Sequence, residues 1–119
     1  MINGFNEQTN PLNDDEMKLL SGFVKGLSSK IGKENSITNK DIRTKYQNIG
    51  IIIPDARVRK LINHIRIKGY VKNLCATSNG YYVARTKEEF EDYLKGLKDR
   101  IDSQMYVYQV LVKQYTENF

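Results

Sequence analysis

The sequence predicts a mainly α-helical chain with one small β-hairpin, an α+β fold that closes on a long C-terminal helix. Three observations predict it. Capping residues stand before three apolar runs of helical period, at Asn13, Thr38 and Thr86. Two short apolar runs flank the polar turn "TSNG" at 77–80, the pattern of a tight hairpin. From Lys87 onward the only helix breaker is Gly96.

Residues 1–12 are polar, carry Gly4 and Pro11, and read as a flexible N-terminal tail. Asn13 with Glu16 forms a capping box, and Asp14 and Asp15 favour the positive end of the helix dipole. Met17, Leu20, Val24 and Leu27 follow at helical spacing with Phe23 beside them, so the first helix extends to about Leu27. "SSKIGKENS" is a loop, and a short strand near Ser36–Ile37 is expected to pair with the hairpin. Thr38 caps a second, short helix with Asp41 in its first turn, Ile42 and Tyr46 on one face and Gly50 at its end.

Pro54 restricts Ile53 to extended geometry and suits the first turn of a third helix, "PDARVRKLINHIRIKG". Val58, Leu61, Ile62 and Ile65 form its apolar stripe, and Gly69 suits a left-handed C-terminal cap. At about 100° per residue, Ala56, Lys60, Asn63 and Ile67 lie opposite that stripe, flanked by Arg59 and His64. "YVKNLCA" and "YYVAR" are the hairpin strands, and Thr86 with Glu89 caps the last helix.

Charge is concentrated in the middle of the chain. Residues 36–85 carry ten Lys or Arg and only Asp41 and Asp55 as acids, a net of +8, whereas residues 1–35 carry −1 and 86–119 carry −2. A polarised segment of this kind is the electrostatic footprint expected for a polyanion partner. The chain is also rich in Lys, Asn, Ile and Tyr, whose codons are AT-rich, a composition common in low-GC bacteria and mobile elements.

The segments "ITNKDI", "RVRKLINHIRIKGY" and "SNGYYVA" carry a resemblance to winged helix-turn-helix domains, like the small ones of bacteriophages and mobile elements. The resemblance covers about residues 14–90 and assigns a domain over 13–86. It implies double-stranded DNA as partner, with helix 54–68 in the major groove and hairpin tip 77–80 as the wing. Ala56, Arg59, Lys60 and Asn63 become base-facing candidates, Arg and Lys suiting guanine and Asn suiting adenine. Lys40, Arg43, Lys45, Arg57, Lys68 and Arg85 become phosphate contacts, with His64 beside them and Ser78 and Asn79 at the wing tip. The role implied is transcriptional regulation or an accessory part in replication or partition. Winged helices also act as protein-interaction adaptors, which is the alternative reading.

Residues 87–119 form the long helix. Leu94, Ile101, Tyr108 and Tyr115 share one heptad position; Phe90, Leu97, Gln104 and Leu111 share the other. A seam of this length is expected to join two chains into a homodimer, through Phe90, Leu94, Leu97, Ile101, Tyr108, Leu111 and Tyr115. The other arrangement is a helix folded back beside the first one. A heterologous protein partner could also use this surface.

No P-loop, dinucleotide-binding glycine pattern or EF-hand loop occurs, and the lone His64 and lone Cys75 lack companions at metal-ligand spacing. The expectation is a non-enzyme without metal or cofactor, with Cys75 a small buried strand residue. With no apolar stretch of membrane-spanning length, no basic-then-apolar N-terminal leader and one cysteine, a cytoplasmic protein is expected.

Overall fold

The first helix, α1 (Asp14–Ser28), starts as its capping box dictates. The Glu16 N–H donates to Asn13 Oδ1 at 2.9 Å and the Asn13 N–H donates to Glu16 Oε1 at 2.9 Å, so two otherwise unpaired amides are satisfied at once. The same logic starts α2 (Asn39–Gln47), where Thr38 Oγ1 accepts the Asp41 N–H at 3.0 Å. Helix α3 (Asp55–Lys68) follows Pro54 and ends at Gly69, whose φ of 72° is the left-handed cap anticipated for it. Gly50 likewise takes a positive φ, in the turn between α2 and α3. The structure is a computed structural model and describes residues 11–119, so residues 1–10 of the expected tail lie outside the described residues.

Strands β1 (Leu74–Thr77) and β2 (Gly80–Val83) pair antiparallel with Leu74 opposite Val83 and Thr77 opposite Gly80. The first strand is shorter than the expected "YVKNLCA". Asn73 sits at φ 61°, a left-handed turn residue that separates Tyr70–Lys72 from the ladder. The expected third strand is a single bridge, in which Ile37 and Tyr81 exchange both backbone hydrogen bonds at 2.9 and 2.8 Å. Ile31 bridges Val83 in parallel fashion, so the loop between α1 and α2 lines the outer edge of β2. A 3₁₀ turn (Lys33–Asn35) lies within that loop.

The core gathers Val58, Leu61, Ile62 and Ile65 of α3 with Phe23 and Leu27 of α1, Ile42 of α2, and Ile37, Ile53, Val71 and Leu74 between elements. The α3 stripe is as expected. The α1 stripe is rotated: Met17 is 52% exposed, while Glu16 is buried in its place. Cys75 is fully buried, as expected of a small strand residue, and so is its cross-strand neighbour Tyr82.

The chain divides into two compact units, one ending at Arg85 and one spanning Thr86–Phe119. The second is the helix α4 (Lys87–Asn118), started by the Glu89 N–H donating to Thr86 Oγ1 at 3.1 Å. It is continuous through Gly96 and about 48 Å long at 1.5 Å per residue. The fold class is therefore mainly α with one hairpin and a long C-terminal helix.

Candidate nucleic-acid interface

Helix α3 is sealed on one flank by α1 and open on the other. Glu16, buried on α1, receives the Lys60 ammonium at 2.7 Å and lies 3.3 Å from the Arg57 guanidinium. Burial alone would push the Glu16 carboxyl up. The hydrogen bonds from Lys60 and the Asn13 N–H, with the charges of Lys60 and Arg57, outweigh it and hold the carboxyl below its ordinary value.

This arrangement corrects the expectation for Lys60. It is 6% exposed and faces α1 rather than a groove of DNA. The physical reason is that its long stem reaches sideways to the buried Glu16 carboxylate, and a buried ammonium requires such a partner. Arg57 turns the same way, half-exposed beside Glu16.

The open flank of α3 holds Arg59, exposed, with Asn63 and Arg66 half-buried beside it and the exposed Ile67 at its margin. At about 100° per residue, Arg66, Arg59 and Asn63 occupy a continuous arc of about 60°. Arg66 was not singled out by periodicity, because it borders the apolar stripe. Arg59 is ion-paired to Asp55 one turn earlier. Ala56 is half-buried at the start of the same helix.

A hydrogen-bonded corner fixes α2 against the start of α3. The Asn39 amide donates to the Asp55 carbonyl at 3.3 Å, and Arg43 Nε donates to Asn39 Oδ1 at 2.8 Å. Arg43, Asn39, Asp55 and Arg59 thus form one chain of contacts across the two helices. Asn39 is a positioning residue that the sequence did not reveal beyond its place in the first turn. Lys40 is exposed on α2.

Other candidates are dispersed. Lys45 lies on the opposite side of α2, lining an apolar cleft of about 330 Å³ with Gly22, Phe23, Ile42 and Tyr46. There α1 and α2 approach so closely that a Cβ at Gly22 would stand 2.8 Å from the Tyr46 hydroxyl oxygen, and burial pushes the Tyr46 hydroxyl pKa up. His64 is half-buried with its ring 5.8 Å from that of Tyr70. Burial, helped by the charge of Lys68, lowers its pKa. Lys68 is exposed at the C-terminal end of α3.

Arg85 pairs with Glu34 and donates to the Ile31 carbonyl at 3.2 Å, which ties the end of the hairpin to the loop before α2. Ser78 and Asn79 are exposed at the hairpin tip, where Thr77 Oγ1 accepts the Asn79 N–H at 3.1 Å. Lys60 and Arg57 are thus committed to Glu16, Arg59 to Asp55, and Arg85 to Glu34.

The second candidate surface is α4. Phe90 and Leu97 are half-buried, and Phe90 stacks on the buried Tyr93 with ring centroids 6.4 Å apart. Every residue from Lys98 to Phe119 is exposed. Leu94, Ile101, Tyr108, Leu111 and Tyr115 of the expected seam are between 44% and 67% exposed.

Among the described residues no group of three His, Cys, Asp or Glu side chains could hold a metal ion. No helix there is long and apolar enough to cross a membrane. Compared with protein-family models, with curated proteins and with solved structures, the chain gives no match in any of the three.

Proposed function

We propose that this chain is a winged helix-turn-helix protein that binds double-stranded DNA and associates with copies of itself through α4. The observation that carries the reading is the open flank of α3. It presents Arg59, Asn63 and Arg66 on a helix whose other flank is sealed by α1, within a segment of net charge +8. The order helix, helix, turn, helix, hairpin, with Ile37 bridged to Tyr81, supports the winged layout.

In this reading α3 enters the major groove. Asn63 offers the amide pair that suits adenine, and Arg59 and Arg66 offer forks that suit guanine. Arg59 reaches a base by exchanging Asp55 for it. Asp55 thereby acts as an internal competitor that holds the guanidinium in place beforehand. Lys40 and Arg43 at one edge and Lys68 at the other neutralise phosphates, and the Ser78–Asn79 tip hydrogen-bonds to the backbone. The protein acts by binding and positioning, not by catalysis.

The test is fluorescence anisotropy on mixed-sequence duplex DNA across a salt series. Log affinity is expected to fall linearly with log salt, with a slope of about −0.9 per phosphate held. No binding at low salt would sink the reading. The exposed apolar face of α4 favours one other reading, an interaction adaptor working through that helix. It predicts partner binding that is indifferent to Arg43→Ala and lost in Ile101→Glu.

A further inference from the structure

The cleft between α1 and α2 is built around two glycines of α1. At Gly22 the helix has no side chain, which lets the Tyr46 hydroxyl of α2 approach it closely. One turn later a Cβ at Gly26 would meet nothing within 4 Å, so the space opens there. Phe23, Leu27, Ile37 and Ile42 line the cleft and are all members of the core, which is therefore reached from the surface at this point. The volume of about 330 Å³ lies at the lower end of the range of about 300–1,000 Å³ usual for small-molecule sites. Such sites combine an apolar lining with a few polar groups that fix orientation.

The polar groups here share one character. Among the residues that line the cleft are two lysines, the half-buried Lys30 and the exposed Lys45, and no acid. Among the described residues neither lysine is held in an ion pair, in contrast to Arg57, Arg59, Lys60 and Arg85. Burial raises the pKa of the Tyr46 hydroxyl, which leaves it a neutral hydrogen-bond donor beside the two cations. A bare phosphate would meet the lysines and leave the apolar recess filled by water. A hydrocarbon would fill the recess and leave the ammonium groups without a partner. A molecule that carries both parts satisfies both.

We infer that this cleft binds an amphipathic carboxylate, with its apolar body against Phe23, Leu27 and Ile42 and its anionic head toward Lys30, Lys45 and the Tyr46 hydroxyl. The site lies wholly within the N-terminal unit and does not depend on DNA binding or on self-association.

Decanoate, below its micellar concentration, is the probe, and decanol is its neutral counterpart of equal chain length. Both are titrated into the full chain, followed by ¹H–¹⁵N correlation spectra. Decanoate is expected to give saturable shifts at the Gly22, Gly26 and Ile49 amides, and decanol to bind about tenfold more weakly. Lys30→Gln with Lys45→Gln is expected to weaken decanoate by a similar factor and to leave decanol unchanged. Gly26→Leu places a side chain in the open part of the cleft and raises helix propensity, so it is expected to abolish binding while the unit stays folded. Three results would overturn the inference: no saturable shift at these amides, equal affinity for decanol and decanoate, or decanoate binding unchanged in Gly26→Leu. Shifts confined to α4 amides would overturn it too, since the probe would then be held by the exposed apolar face of that helix. None of these readouts involves DNA, so the outcome is independent of the anisotropy series.

Discussion

Lys60 and Glu16 stand 44 residues apart in the chain and 2.7 Å apart in the fold. Each is buried, and each is tolerable there only because of the other. Lys60→Ala leaves a carboxylate in the interior with Arg57 as its remaining cation. We expect a loss of about 3 kcal/mol, read as a lower denaturant midpoint at unchanged slope. Adding Glu16→Gln to Lys60→Met removes both charges while keeping the helix cap, and is expected to recover most of that loss. The pair also sets an acid limit. The Glu16 carboxyl titrates below its ordinary value of 4.5 in the fold, so the unfolded chain takes up the proton first as pH falls. Its stabilisation is complete above the ordinary value and is lost as pH falls through the native one. A pH series of unfolding midpoints in Glu16→Gln should therefore slope less steeply on the acid side than in the wild type.

At the scale of elements, the hairpin depends on one glycine. Gly80 has a φ of 125°, and a Cβ there would stand 2.6 Å from the Ile37 carbonyl oxygen, in the backbone of the bridging segment. Gly80→Ala therefore meets both a forbidden conformation and a clash with backbone that cannot rotate away. We expect a cost of about 2 kcal/mol or more, and faster hydrogen exchange at the Ile37 and Tyr81 amides, which the bridge protects. Unchanged exchange at both amides would show that the hairpin tolerates a side chain here. Helix α4 is of another kind. Its second half takes its regularity from local propensity alone within one chain, since every residue from Lys98 onward is exposed. Short isolated helices are marginal in water, so the self-association proposed above would steady the far turns.

For the molecule as a whole, charge placement decides which cations can act on a polyanion. Net charge along the sequence treats all ten cations of residues 36–85 alike. The fold ranks them, with Lys60 withdrawn and Arg43 held at the corner of α2 and α3. If duplex DNA is the partner, Arg43→Ala is expected to weaken binding to all sequences and reduce the salt slope by about 1. Asn63→Ala is expected to relax preference at one base pair by about 1–3 kcal/mol. Lys45→Ala, on the far side of α2, should leave the slope nearly intact. Anisotropy titrations of the three variants against one duplex set separate these outcomes.

The sequence by itself determined where the capped helices begin. Asn13, Thr38 and Thr86 each cap a helix as local hydrogen bonding requires, and Gly69 ends one. The α3 stripe was equally legible, because residues three and four apart share a helix face whatever the rest of the chain does. The tertiary structure alone decided which polar face of α3 stays open. Periodicity places Lys60 opposite the stripe, but α1 covers that side and supplies Glu16, so the accessible arc shifts toward Arg59, Asn63 and Arg66. Helical phase is a property of one element, whereas exposure depends on which neighbours arrive from distant sequence, and no local pattern encodes that.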